Sequence, residues 1–317
     1  VYDDENLTNV LQMNLTKDTK VMILGCGGML GQAVYERFSK SCTVLATDID
    51  LNSPWLEHLD VRDWQQLYER ARQFKPDLLI NLAALTDLEY CELHSDNAYL
   101  TNGLGQENAC LAALKLDIPL VYVSTAGIFD GAAELYNDFD KPNPLSIYGK
   151  SKYYGEQVTQ QMWPKAFIFR AGWMMGGGAI KDKKFINKIF KQITGGATTL
   201  HVVDDKLGTP TYTVDFAGSM FRIVESGFYG LYNMVCSGSA SRYDVAVEFL
   251  RCLGLEKRIE VKIVNSDFFK KTYFAPRPYS EKLVNLKLIS RKMMHMRDWK
   301  ICLNEYAEVF KAQLKSK

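Results

Sequence analysis

The 317-residue sequence predicts an α/β fold, a doubly wound parallel sheet with a smaller C-terminal lobe. Three observations carry this. Runs that are apolar throughout recur at Val21–Leu24, Leu78–Ile80 and Leu120–Val123, as expected of parallel strands buried on both faces. Stretches of helical length lie between them, and such alternation builds a sheet covered on two sides. After Gly172 the alternation breaks down among glycines and a basic stretch, which marks a second region.

Residues 1–19 precede the first strand. Leu7, Val10, Leu11 and Leu15 recur at helical spacing and predict a short amphipathic helix, lying on the body or making a homodimer contact. Strand Val21–Leu24 runs through glycines into a helix from Leu30 to Ser39, and Thr43–Thr47 is a second strand. Asp63–Phe74 reads as a helix, and Pro76 resets the chain before strand Asp77–Asn81. A long helix over Asn97–Lys115 leads to strand Pro119–Val123. Asp138–Pro144, with two prolines, is a loop that delivers the helix carrying Tyr148; Phe167–Arg170 is a further strand. Beyond Gly176-Gly177-Gly178 come a basic helix through Lys181–Lys191, the pair Gly195-Gly196, and a return to the sheet at Gly230–Val235. The first domain thus covers 20–171 with a return segment at about 212–236, and the second lobe covers 172–211 and 237–317.

Composition narrows the class. Hydrophobic residues make up 47% and charged residues 24%, ordinary for a globular protein. A net charge of +1 gives no electrostatic reason to expect nucleic acid or an anionic membrane. The seven cysteines are scattered without C-x-x-C spacing, which reads as reduced thiols in a cytoplasmic protein. The four histidines show no ligand spacing, so no metal is expected, and no apolar run approaches the roughly 20 residues that cross a bilayer.

Gly25-Cys26-Gly27-Gly28-Met29-Leu30-Gly31 closes the first strand and opens the first helix. Read as Gly25-x-x-Gly28-x-x-Gly31, it supplies a tight turn, a close backbone approach and tight helix–strand packing, the Rossmann arrangement for a dinucleotide. The following helix start offers N–H groups and a positive dipole end to a pyrophosphate. Asp48 ends the second strand, where a carboxylate accepts from the adenosine ribose and repels a 2′-phosphate, favouring NADH over NADPH. Asp50 competes for that place, either aspartate could instead cap the loop, and no basic companion for a phosphate stands nearby in the sequence. Asp60-Val61 precede the next helix, putting a carboxylate near the adenine or at a helix cap. Asn81-Leu82-Ala83-Ala84 end a strand with small residues that let a cofactor approach the backbone.

Tyr148 and Lys152 are one helical turn apart and share a helix face. A free phenol has a pKa of about 10, and a fixed ammonium beside it favours the phenolate and lowers that value. Such a pair is suited to general acid–base work on a carbonyl or alcohol.

Together, the glycine turn, Asp60-Val61, Asn81–Ala84, Val123-Ser124-Thr125 and Tyr148-x-x-x-Lys152 resemble the extended short-chain dehydrogenase/reductase superfamily. Further stretches resemble the dTDP-4-dehydrorhamnose reductase family. They are Ala83-Ala84-Leu85-Thr86 with Glu89 and Glu92, Phe129-Asp130-Gly131, Arg170–Trp173, Val203–Thr211 and Arg277-Pro278. The resemblance spans roughly Lys20 to Leu283 and makes the second lobe a substrate-binding one. It implies NAD(P)H-dependent reduction of the C4 ketone of a nucleotide-linked 4-keto-6-deoxy sugar, serving surface-polysaccharide synthesis. It also implies that Tyr148 gives a proton to the C4 oxygen and Lys152 holds the nicotinamide ribose while lowering the tyrosine pKa. Thr125 would hydrogen-bond the same oxygen, with Ser124 the neighbouring alternative, since strand alternation turns only one toward the cleft. Asn102 would organise the cofactor side, Trp173 would form a platform for the deoxysugar, and Arg277 would meet the diphosphate. Thr86 and Glu89 would complete the substrate side.

The sequence also departs from the family. Where Ser-Thr-Asp-Tyr is usual it has Ser124-Thr125-Ala126-Gly127, Lys206 stands in place of glutamine, and Ser280-Glu281 replace the Asn-Ser that commonly follows Arg-Pro. These changes leave the ketone chemistry and alter the sugar-recognition face. An epimerase or dehydratase of the same superfamily is the alternative, though Ala126-Gly127 lack the acid that dehydratases carry there; a non-catalytic, cofactor-binding regulatory subunit is the other.

Overall fold

The computed structural model describes residues 12–315. Seven parallel strands form one sheet: β1 (Lys20–Leu24), β2 (Thr43–Asp48), β3 (Leu56–His58), β4 (Leu78–Asn81), β5 (Leu120–Thr125), β6 (Ala166–Ala171) and, later in the chain, Gly230–Asn233. The order across the sheet is Gly230–Asn233, β6, β5, β4, β1, β2, β3, so the winding reverses between β1 and β4. In open sheets of this kind the crevice at that reversal is where ligands bind.

Side-chain alternation along β1 shows why its apolar run is continuous. Val21 and Ile23 face a core shared with helix α1 (Gly31–Ser39) and with Phe216, Met220 and Phe221 of the later helix Thr213–Ser226. Met22 and Leu24 face a second core made with helix α2 (Trp64–Phe74) and with Ala109, Ala112 and Ala113. Asp63 caps α2 by accepting from the Gln66 N–H, which fixes the start of that helix.

The expected long helix over Asn97–Lys115 is broken into parts. After α3 (Leu88–Leu93) and α4 (Ser95–Tyr99), a π-helical turn at Leu100–Leu104 precedes α5 (Gly105–Leu116). Gly103 and Gly105 lie in and just after that turn, packed against Tyr154 and Val61, where a side chain would collide. Helix α6 (Ile147–Met162) carries Tyr148 and Lys152, and Ser146 caps it by accepting from the Gly149 N–H at 3.1 Å.

The second region adds β7 (Trp173–Met175), paired with Pro210–Tyr212, and a three-stranded patch of Ala240–Ser241, Leu207–Gly208 and Ser280–Glu281. The basic helix expected through Lys181–Lys191 is two pieces, Gly178–Lys181 and Phe185–Thr194. Asp182 divides them, its side chain accepting from the Lys184 N–H at 2.7 Å. Phe249 and Phe310 of the last helices join the same core as α1.

Of the amphipathic helix expected at the N-terminus, Leu7, Val10 and Leu11 lie outside the described residues. Residues 12–16 are not helical; Leu15 is buried in the core and the Met13 N–H donates to the Glu225 carbonyl at 2.8 Å. No helix among the described residues is long and apolar enough to cross a membrane, and no group of three or more His, Cys, Asp or Glu side chains among them could hold a metal.

Candidate active site

The carboxyl ends of the central strands open on a cleft of about 1310 Å³ lined by both regions. At its floor the three glycines do three different things. Gly25 has φ +70°, and a Cβ there would run into the Ala83 backbone, so β1 and β4 approach closely at this point. A Cβ on Gly31 would strike the Cys26 carbonyl, which sets how tightly α1 packs on the turn. Gly28 is the open one: its nearest neighbour would be the Gly25 carbonyl at 3.7 Å. Met29, Leu30, Leu82, Ala83 and Ala84 line the cleft beside it, and no side chain caps the first turn of α1. Backbone donors with no cap, beside a glycine with no side chain, fit an anion such as a pyrophosphate.

Asp48 lies at the end of β2 and accepts from the Gly27 N–H at 2.8 Å and the Asp50 N–H at 2.9 Å. Asp50 lines the same end and accepts from the Asn52 amide at 3.2 Å. The fold supplies a basic neighbour that the local sequence did not show. Lys181 reaches across to donate to the Ser53 hydroxyl at 3.1 Å and lies 5.2 Å above the Trp55 ring. Asp60 and Val61 also line the cleft. Asp60 is no helix cap, since Asp63 has that place; it pairs with Arg62 at 2.6 Å, which holds its carboxyl below the usual range.

Thr125, Tyr148 and Lys152 converge on one part of the cleft. Strand alternation separates the two hydroxyls at the end of β5. Ser124 turns into the core and donates to Glu156 at 2.8 Å, where Glu156 forms a buried ion pair with Arg170. Thr125 faces the cleft, accepts from the Gly127 N–H at 3.1 Å and stands beside Tyr148, its hydroxyl being the largest influence lowering that phenol's pKa. Lys152 is only 3% exposed, and its ammonium lies 4.2 Å over the Tyr122 ring with no hydrogen-bond partner among the described residues. Burial brings it down to about 7, with Glu156 opposing.

The expectation that Lys152 lowers the Tyr148 pKa is not met in this structure. Burial pushes the phenol up to about 12, Thr125 opposes, and the Glu281 carboxylate adds to the rise. Desolvation of the phenolate dominates, and the buried Lys152 does not offset it. Here the Tyr148 phenol is held in its neutral form.

Asn102, expected to organise the cofactor side, lies behind the cleft and not on its lining. Its side chain accepts from the Leu85 N–H at 2.8 Å and donates to the Leu85 carbonyl and the Ser151 hydroxyl at 3.1 and 3.0 Å. It therefore pins the loop after β4 to the helix turn that carries Lys152, and the π-helical turn aims it there.

On the far wall, Trp173 faces the cleft above Gly208, whose missing side chain makes room for the indole. Arg277 lines the cleft, gripped by Glu89 at 2.8 Å and by the Ala275 carbonyl at 3.0 Å. Thr86 accepts from Lys184 at 3.1 Å through its hydroxyl and 2.9 Å through its carbonyl. Thr86 and Glu89 thus line the cleft while tying its two walls together. Glu92 lies away from it, accepting from the Ile147 N–H at 2.7 Å at the start of α6.

Two residues that local patterns did not single out as site residues complete this wall. The Arg242 guanidinium stacks 3.5 Å over Trp173, and burial pulls its pKa down to about 10. Glu281 accepts from the Trp173 indole N–H at 2.6 Å. Arg242 had no sequence signal; Glu281 showed only as a departure from a familiar pattern.

A family model described as the RmlD substrate binding domain matches residues 19–312. The chain is 29% identical over 292 residues to the spore coat polysaccharide biosynthesis protein SpsK of Bacillus subtilis, covering 92% of this chain and 97% of that one. It is 30% identical over 293 residues to a dTDP-4-dehydrorhamnose reductase of Mycolicibacterium smegmatis, covering 90% and 84%. Among solved structures, a dTDP-4-dehydrorhamnose reductase of Bacillus anthracis in complex with NADP superposes with a TM-score of 0.84 at 27% identity, covering 91% and 98%.

Proposed function

Because the chain belongs to the RmlD substrate-binding domain family, we propose that it reduces the C4 ketone of a nucleotide-linked 4-keto-6-deoxy sugar with a reduced nicotinamide dinucleotide. The observation that carries this is the meeting of Thr125, Tyr148 and Lys152 in a cleft whose floor is the Gly25–Gly31 turn. The Lys152 ammonium, with no hydrogen-bond partner among the described residues, suits the hydroxyls of a ribose.

Gly28, Met29 and Leu30 would hold the pyrophosphate, Asp48 the adenosine ribose, Asp60 and Val61 the adenine side, and Leu82, Ala83 and Ala84 the centre of the dinucleotide. When bound, the nicotinamide supplies hydride. The protein's own residues handle the oxygen. As the ketone carbon gains electrons, its oxygen gains negative charge, and hydrogen bonds aimed at that charge stabilise the transition state. Thr125 donates one such bond, and Tyr148 donates the other and transfers its proton. A phenol held neutral is in the right protonation state for reduction, and the Lys152 charge stabilises the phenolate left behind. Trp173 offers an apolar face to the 6-deoxy side of the sugar, and Arg277 and Arg242 offer guanidinium groups to the diphosphate.

Asp48 favours NADH. A 2′-phosphate would meet its carboxylate, and the Lys181 ammonium, which also lines the cleft, is engaged by Ser53. The B. anthracis relative was solved with NADP, so the preference is a direct comparison of kcat/KM for NADH and NADPH. A higher value for NADPH overturns the assignment to Asp48.

Incubation with NADH and a panel of nucleotide-linked 4-keto-6-deoxy sugars tests the reaction. Consumption of NADH is expected with at least one sugar, and Tyr148→Phe is expected to slow it by roughly 10²–10⁴-fold. A Tyr148→Phe protein as fast as the wild type refutes the role given to the phenol.

A further inference from the structure

We propose that Glu281 is a specificity-determining residue that reads the C3 hydroxyl of the sugar, the only hydroxyl next to the reacting C4 carbonyl. This rests on the ketone-reductase reading above. A 4-keto-6-deoxy sugar presents two flanking carbons at the reacting centre. C5 carries a methyl group and the ring oxygen, and C3 carries the one neighbouring donor.

The geometry puts an acceptor there. Glu281 sits in the short strand Ser280–Glu281, which pairs with Leu207–Gly208 in the same patch that seats Trp173. One carboxylate oxygen, Oε2, is taken by the Trp173 indole N–H at 2.6 Å. The other, Oε1, receives no hydrogen bond among the described residues and points toward Gly127. A Cβ built on Gly127 would lie 3.4 Å from that Oε1, 3.5 Å from the Thr125 hydroxyl and 3.7 Å from Cε1 of Tyr148. The Glu281 carboxylate, the Thr125 hydroxyl and the ring edge of Tyr148 therefore surround one point, and glycine leaves the point open. Two of the three are the groups assigned to the C4 oxygen, so the third faces the atoms attached to the neighbouring carbon.

The surroundings favour a ligand-directed carboxylate over a structural one. A single indole N–H uses one of the roughly four acceptor sites of a carboxylate. The negative charge also stands near the phenol and the Arg242 guanidinium, both of which line the cleft. Arg242 stacks on Trp173 and so keeps the indole, and through it the carboxylate, in one orientation.

Binding isotherms separate this proposal from the reaction itself. The probes are nucleoside diphosphates (dTDP, UDP and GDP), their 6-deoxyhexose conjugates, and the 3-deoxy form of whichever conjugate binds. For the wild type, the 3-deoxy form is expected to bind roughly tenfold or more weakly than its parent, as for a lost hydrogen bond to a charged group. Glu281→Gln, which keeps an acceptor for Trp173, and Glu281→Ala are both expected to weaken the parent by the same factor. Both should leave the free nucleoside diphosphate unaffected and remove the difference between parent and 3-deoxy form. Unchanged binding of the parent, a loss shared equally by the free diphosphate, or a penalty for the 3-deoxy form that persists in both variants overturns the proposal. Failure of the wild type to consume NADH with any keto sugar overturns the reaction and leaves this binding pattern standing.

Discussion

The glycine turn makes two substitutions, three residues apart, into opposite experiments. Gly25→Ala puts a side chain at φ +70°, which costs roughly 1–2 kcal/mol for an L-residue. The added methyl also overlaps the backbone of Ala83, and forcing such overlap costs about 1–3 kcal/mol more. The sum, about 2–5 kcal/mol, is a large part of the 5–15 kcal/mol typical of a folded domain. Gly28→Ala meets nothing nearer than the Gly25 carbonyl at 3.7 Å, so the fold should change by no more than about 0.5 kcal/mol. Its methyl enters the space where a pyrophosphate would lie, and affinity for NADH should fall at least about tenfold, or 1.4 kcal/mol. Urea unfolding monitored by tryptophan fluorescence reads the first quantity, and NADH titration reads the second. Equal losses of stability in both variants, or an unchanged NADH affinity in Gly28→Ala, would refute this division of labour.

Other outcomes follow from the buried charges. Lys152 has its pKa brought from 10.5 to about 7, so its ammonium is present below that value and lost above it. The kcat/KM profile should therefore descend as pH rises through about 7, with no limb from Tyr148 below about 12, and Lys152→Met should flatten it. Between pH 7 and 10.5 the unfolded chain holds more protons on this lysine than the folded one, so its contribution to stability rises with pH across that window. Unfolding at several pH values, with Lys152→Met as control, checks the sign. Glu156→Leu should cost about 3–5 kcal/mol by leaving Arg170 buried without its partner; restoration by adding Arg170→Met distinguishes the lost pair from a packing defect. Asp48→Ala should raise kcat/KM for NADPH relative to NADH, and an unchanged ratio would separate Asp48 from the choice.

Much of the architecture is written locally. Continuous apolar runs such as Val21–Leu24 and Leu78–Ile80 follow from burial on both faces, and the glycine spacing follows from backbone contacts inside one turn. The shared face of Tyr148 and Lys152 needs only helical periodicity, and the inward turn of Ser124 needs only strand alternation. What was not legible arises between distant segments. Lys181 and Lys184 reach the cleft from the second region, and Arg242 and Glu281 meet on Trp173 from places far apart in the chain. Spacing placed an ammonium near the phenol, but the degree of desolvation, a property of the assembled cleft, decides the direction of the Tyr148 shift. The π-helical turn that aims Asn102 at Leu85 and Ser151 looks in the sequence like the middle of an ordinary helix.

In the proposed reaction hydride is delivered to C4 while Tyr148 protonates the oxygen on that carbon. Turnover of a nucleotide-linked 4-keto-6-deoxy sugar with NADH deuterated at the nicotinamide C4 tests it directly, with NMR of the product. One deuterium at C4 of the sugar, formed in step with NADH loss and suppressed in Tyr148→Phe, is the result expected. Deuterium at another carbon, or a changed sugar with no NADH consumed, would contradict it.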